Sequence, residues 1–147
     1  MKNSRSLDDL HPIVANKAKQ FKLECAKEGI DVLITSTERD NESQNALYAI
    51  GRTVKGADVT LLRPMGRKVT NAKGGDSFHN WKVAFDFVPL VHGKAIWNDE
   101  KLFARCGAIA EKVGLEWAGR WKSFSEQAHC QFTNGLTLND FKAGKTI

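Results

Sequence analysis

Apolar side chains recur at helical spacing from Pro12 to about Lys27. Val14, Ala18, Phe21 and Cys25 share one face, and Gly29 ends the run. Ile30 to Thr35 switches to alternation, with Ile30, Val32 and Ile34 on one side, and reads as a strand. Asp40 is a natural N-cap for a helix through Ala46, Leu47 and Ile50, closed by Gly51. Val83 to Val88 alternates again, and His92-Gly93 after it has the character of a hairpin turn. Asn98 or Asp99 caps a helix to Val113, striped by Leu102, Cys106, Ile109 and Val113 and stopped by Gly114. Leu115 to Ala118 and His129 to Phe132 are short strands, and Thr137 to Asp140 opens a final short helix. His129 and Gln131 fall on one face of their strand, Cys130 on the other.

Residues 51 to 76 break this rhythm, with five glycines interleaved with six basic residues. The segment reads as a long loop with at most one short strand, flanking whatever site follows it. The 147 residues fit one domain, with this loop-rich insertion inside it. No run of about 18 apolar residues predicts a membrane-spanning helix. The beginning of the chain lacks the apolar stretch of a secretory signal, so synthesis in the cytosol is expected. The net charge is +5, favouring an anionic partner, namely nucleic acid, a membrane surface or a wall polymer. No zinc-finger, helix-turn-helix or RNA-binding signature accompanies the charge, so nucleic acid is not the expected partner. Three cysteines without Cys-x-x-Cys spacing argue against a disulfide framework, and Cys25 and Cys106 fit as buried small hydrophobes. His11, before Pro12, fits helix entry, and His92 fits an exposed turn.

The informative chemistry lies around two other histidines. Asp86 sits inside an apolar strand, where a carboxylate is costly unless it is paired or bound to a metal. His79 precedes that strand, and His129 lies on another. Two imidazoles and a carboxylate leave a zinc ion one open position, and Glu126 is placed to serve there as a base for water. A structural reading competes with this one, in which Asp86 pairs with Arg39 or Arg120 and the histidines are ordinary satisfied side chains. Trp81 and Trp121 flank the two motifs and are candidates for lining a substrate cleft.

These residues resemble a known family. Ser77, His79 and Asp86 match a Ser-x-His-x-x-Gly-x-Ala-x-Asp motif of zinc D-alanyl-D-alanine carboxypeptidases, vancomycin-resistance dipeptidases and phage L-alanyl-D-glutamate endopeptidases. Glu126 and His129 match the family's acidic-x-x-His element. Trp117-Ala-Gly119-Arg-Trp121 is similar to a segment of the endolysin-type branch, as are Ile34 to Arg39 with Gln44, and Leu47 to Thr53. Together these motifs span about residues 30 to 145 in order.

The resemblance implies an α+β fold in which a small antiparallel sheet, backed by helices, carries the site. It implies Zn2+ held by His79, Asp86 and His129, Glu126 as catalytic base, and Arg39 as stabiliser of the substrate oxyanion. Ser77 would orient the first motif or contact substrate. The implied activity is hydrolysis of peptidoglycan stem peptides by an endolysin that cuts the L-alanyl-D-glutamate bond; the missing secretory signal fits release through holin-type pores, and the lack of an added binding repeat fits a monomer. Anionic outer-membrane or wall polymers are further expected partners. A D-alanyl-D-alanine carboxypeptidase or dipeptidase remains open as an alternative, as does a non-catalytic zinc-binding wall module. Two positions depart from the pattern: Lys82 replaces the motif glycine, and Cys130 replaces the usual aromatic residue.

Overall fold

The computed structural model describes residues 1–147. In chain order it contains α1 (Pro12–Lys27), β1 (Asp31–Ser36), α2 (Asn41–Ala49), β2 (Ala84–Val91), β3 (Lys94–Ala95), α3 (Glu100–Lys112), β4 (Glu116–Trp117), β5 (His129–Gln131) and α4 (Leu138–Lys142). This is the expected α+β arrangement. The strands form one antiparallel sheet in the order β1-β2-β5-β4, with β3 hairpinned onto the far end of β2. His92 and Gly93 form that turn, both at positive φ (51° and 76°), the backbone a tight hairpin requires.

The long strand β2 is the spine of the molecule. Phe85 and Phe87 point to one side, where both rings pack against Phe21 of α1, at 5.9 and 5.1 Å between centroids. Phe103 of α3 closes on Phe87 at 5.6 Å. Cys25, Cys106 and Cys130 are fully buried in the same core as free thiols. Cys130 thus faces the helices, as the alternation of β5 requires. The opposite side of β2 presents Asp86, which pairs in register with His129 of β5 and lies beside Ser36 at the irregular end of β1. The sheet therefore buries apolar side chains on one face and concentrates polar chemistry on the other.

Two features were not legible from periodicity. Residues near the N-terminus pair with the segment after β1: Ser4 and Thr37 exchange bonds with Glu38 and Ser4 carbonyls at 2.8 Å each, and Asp40 N–H donates to Lys2 O at 2.9 Å. Residues 51–76 contain no strand, but they are not shapeless. Gly56 N–H bonds Met65 O (2.8 Å), Arg67 N–H bonds Ala57 O (2.7 Å), and Thr60 and Arg63 bond each other, making an irregular hairpin.

Trp117 ties the helical layer to the site. Its ring lies against Gly107 of α3 and Gly119, and its indole N–H donates to the Gln127 carbonyl at 2.8 Å. A Cβ on Gly107 would stand 2.1 Å from the ring. Gly107→Ala is therefore expected to destabilise by roughly 1–3 kcal/mol through overpacking, despite alanine's better helix propensity. A urea titration showing no loss of stability would contradict this packing.

Candidate metal centre

His79 is delivered by a 3-10 turn, Phe78–Trp81, just before β2. Ser77 caps it: its Oγ accepts from the His79 N–H at 3.3 Å, while Asn80 Oδ1 accepts from the Ser77 N–H at 3.1 Å. Asn80 Nδ2 then reaches the Arg39 carbonyl at 2.9 Å, joining the turn to the segment after β1. Ser77 thus has an orienting role, and it also lines the cleft described below.

Lys82 ends this turn in the left-handed region (φ 63°, ψ 24°). The motif's glycine has a physical explanation here, because a left-handed residue with a Cβ is strained by about 1 kcal/mol or more. Lys82 keeps the turn and carries the strain. Its ammonium faces Glu38 at 3.9 Å and is not part of the cleft lining. Lys82→Gly is expected to stabilise the chain by about 1 kcal/mol and raise the melting temperature by about 3 °C. An unchanged or lower value in a thermal melt would remove strain as the explanation.

The turn and the two strands bring three ligand atoms together. His79 Nε2 lies 3.3 Å from Asp86 Oδ1, and His129 Nδ1 lies 3.2 Å from the same oxygen. The donor atoms of all three residues fall within 4.8 Å of one another. Ligands about 2.0–2.1 Å from a tetrahedral zinc are separated by about 3.3 Å, so both measured edges suit that ion. The outward nitrogens are already engaged. His79 Nδ1 lies 2.8 Å from the Thr37 carbonyl, which fixes it as the protonated nitrogen. His129 Nε2 lies 2.9 Å from Gln131 Oε1. With its outer nitrogen so engaged, each ring can offer an unprotonated inner nitrogen to a metal, as a ligand must; without one, that nitrogen needs a proton to hydrogen-bond Asp86. The donor set fits the ion.

Neither arginine takes Asp86 as its hydrogen-bond partner. Arg120 forms a two-pronged pair with Glu111 at 2.7 and 3.2 Å. Arg39 donates to Gln44 Oε1 at 3.0 Å and to Ser36 Oγ at 3.1 Å. Asp86 has the two histidines instead. Burial opposes its ionisation, but the hydrogen bonds from His129 and His79 prevail and hold the carboxyl well below its usual range. Burial likewise works against a charged His129, yet Asp86 outweighs it and raises the imidazole. Burial lowers Arg39, with Asp86 and Glu126 opposing that shift.

A cleft of about 380 Å³ opens above these atoms, lined by Arg39, Ser77, His79, Asp86, Trp121, Glu126 and His129 among others. Glu126 is largely exposed, with Oε2 3.7 Å from His129 Nδ1. The Trp121 ring lies 5.9 Å from the His129 ring and forms a wall. Trp81, expected in the lining, sits outside it. Its ring stacks on Phe141 of α4 at 6.0 Å and its N–H donates to the Gly75 carbonyl, so it supports the wall from behind. Position in the sequence beside His79 did not reveal that the 3-10 turn rotates Trp81 away. Conversely, the roles of Gln131 and Gln44 were missed. The signal for Gln131 was its two-residue offset from His129, which puts both on one face.

A family model described as D-alanyl-D-alanine carboxypeptidase matches residues 70–132. The Bacillus subtilis (strain 168) protein described as peptidoglycan L-alanyl-D-glutamate endopeptidase CwlK is 37% identical over a 132-residue alignment that covers 84% of this chain and 73% of that protein. The chain belongs to this peptidase family. Solved structures share the fold at low identity. Serratia marcescens L-Ala D-Glu endopeptidase ChiX aligns over 94% of this chain and 90% of its own, with a TM-score of 0.61 and 20% identity. The vancomycin-resistance D,D-pentapeptidase VanY, a glutamate-to-alanine mutant in complex with Zn(II), aligns over 97% and 89%, with a TM-score of 0.64 and 13% identity. The matched span, residues 70–132, contains every proposed ligand and Glu126, and it leaves out Arg39 and most of the hairpin.

Proposed function

We infer that this chain is a zinc peptidase that cleaves peptidoglycan stem peptides, with the L-alanyl-D-glutamate bond as its target. The observation that carries the reading is the placement of Glu126 beside the His79, Asp86 and His129 donors, in a cleft that Arg39 also enters. The relative named L-alanyl-D-glutamate endopeptidase supports the choice of bond. When bound here, zinc supplies Lewis acidity and makes water a competent nucleophile near neutral pH.

The protein's residues do the rest. Glu126 accepts the proton from the attacking water and delivers it to the leaving amine. Arg39, braced by Ser36 and Gln44, holds a positive charge where the substrate carbonyl oxygen becomes an oxyanion. Gln131 and the Thr37 carbonyl keep the histidine rings from turning. Trp121 supplies an apolar wall for the peptide. The endolysin-like segments around Trp117 and Gly51 support a lytic role at the wall, with the chain acting as a monomer after release from the cytosol.

Digestion of purified sacculi and of synthetic stem peptides, followed by mass spectrometry, tests this reading. The expected fragments begin with a free D-glutamate amine, and chelation abolishes their release until zinc is restored. Loss of a terminal D-alanine instead would assign the carboxypeptidase alternative. Undiminished cleavage after chelation would overturn the metal-dependent reading altogether.

A further inference from the structure

The hairpin within residues 51–76 ends in a four-residue turn, Thr60 to Arg63, whose backbone closes by mutual Thr60–Arg63 hydrogen bonds of 3.0 and 3.1 Å. Its two central residues are Leu61 and Leu62, at 102% and 100% exposure. Turns take glycine, asparagine, aspartate or proline at these positions for conformational reasons, so two leucines do nothing for the turn itself. They touch no core. Val59, two residues before Leu61, is also half exposed.

Around this apolar tip the charge is one-sided. Residues 51–76 hold six lysines and arginines against two aspartates, a surplus of four within a chain whose net charge is +5. Lys55, Arg63, Arg67 and Lys68 are all exposed. Of the two carboxylates, Asp58 pairs with Arg67 at 3.2 Å and Asp76 pairs with Lys142. A shallow concavity of about 500 Å³ runs between Leu62, Arg63, Pro64, Arg67 and Lys68, joining the apolar tip to the basic collar. The hairpin is held in place rather than loosely tethered. The Arg67 carbonyl lies against Gly51 and Gly56, where a Cβ would stand 2.6 and 2.5 Å away. Arg52 Nη1 bonds the Thr70 carbonyl at 3.0 Å.

We propose that this tip is a membrane-docking element, in which Leu61 and Leu62 enter the interfacial layer of an anionic bilayer while Arg63, Lys68 and Lys55, none of them held in an ion pair, meet lipid phosphates. The pairing of an apolar point with a cationic collar matches the two parts of a lipid surface. An anionic wall polymer would satisfy the charges but offers nothing to the leucines. Val69, Thr70 and Ala72, at the base of the hairpin, line the catalytic cleft. Docking at the tip would therefore hold the cleft at a fixed side of the membrane, next to the wall layer.

Co-sedimentation of the full chain with vesicles tests this. The probes are phosphatidylglycerol–phosphatidylethanolamine vesicles, with phosphatidylcholine vesicles as the uncharged reference. The chain is expected to partition to the anionic vesicles at least about tenfold more strongly, with the difference shrinking as salt rises. Leu61→Ser with Leu62→Ser is expected to lower partitioning about tenfold or more at unchanged charge, because apolar area no longer leaves water. Both side chains lie free of the fold, so circular dichroism and cleavage of a soluble stem peptide should stay unchanged in that variant. Equal vesicle binding by wild type and the leucine variant would overturn the proposal, as would absence of vesicle binding. Loss of sacculus binding with vesicle binding intact would assign the tip to the wall and also overturn it. Vesicle binding needs no metal, so this result stands or falls apart from the peptidase reading.

Discussion

Glu126→Gln is expected to lower kcat for stem-peptide cleavage by about a thousandfold while zinc content stays unchanged, since loss of a positioned proton acceptor costs about 10²–10⁴ in rate. Glutamine preserves the length and shape of the side chain but cannot take a proton. The side chain is largely exposed and holds no part of the core, so the variant should fold as the wild type does. Its backbone is fixed on three sides. Glu126 N–H bonds the Ala118 carbonyl at 3.2 Å, His129 N–H bonds the Glu126 carbonyl at 3.3 Å, and Trp117 holds the neighbouring Gln127 carbonyl. These bonds hold the carboxylate beside the candidate metal centre. KM should change little, because the proton is in flight only in the transition state. Zinc retained with activity lost also separates an enzyme from a non-catalytic zinc-binding module. Activity within about threefold of wild type would show that the proton goes elsewhere, since that loss is far below a general-base effect.

The parts of this molecule that announce themselves in sequence are those where one physical demand sets the residue type. β2 needed apolar side chains toward the helices, so Asp86 stood out as an expense requiring a partner. The caps at Asp40, Asp99 and Thr137 satisfy the first amides of their helices, at Ser43, Leu102 and Asp140, and were legible as polar residues before apolar stripes. Cys130 was placed correctly by alternation alone. The resemblance, carried by several ordered motifs, then joined His79, Asp86, His129 and Glu126 into one site, which spacing by itself left open.

What stayed hidden depends on backbone meeting backbone across long separations. The pairing of residues near Lys2 and Ser4 with the stretch from Thr37 to Asp40 uses amides that every residue has, so no side-chain pattern marks it. Yet it steadies both the Thr37 carbonyl that orients His79 and the backbone of Arg39. The hairpin in residues 51–76 is likewise built from glycines that let the Arg67 carbonyl approach Gly51 and Gly56 closely. In sequence these glycines read only as a loop. Trp81 misled for a related reason: proximity along the chain to His79 says nothing of direction once a 3-10 turn intervenes.

Asp86→Ala gives the second large effect, and its pH dependence distinguishes the metal from the proton. With zinc supplied, affinity is expected to fall on the order of a hundredfold or more, since the binding free energy of such a site is shared among about four ligands, and cleavage should disappear with it. The metal-free protein behaves differently. Asp86 is held below its usual range, so its contribution to stability is present above the ordinary carboxylate value and lost as pH falls through the depressed one. His129 is raised, so its contribution is full below the ordinary histidine value and lost as pH rises through the raised one. The two overlap in mildly acidic solution, at about pH 4–6, between the ordinary carboxylate and histidine values. Without metal, the melting-temperature gap between wild type and Asp86→Ala should be widest there and narrow towards alkaline pH. With zinc the trend should reverse, because the ion competes with the proton for His129 Nδ1 and wins as pH rises. Thermal melts across pH with chelator and with zinc read both trends at once. A gap that follows the same course in both conditions would mean that Asp86 serves the histidines alone and that no cation sits between them.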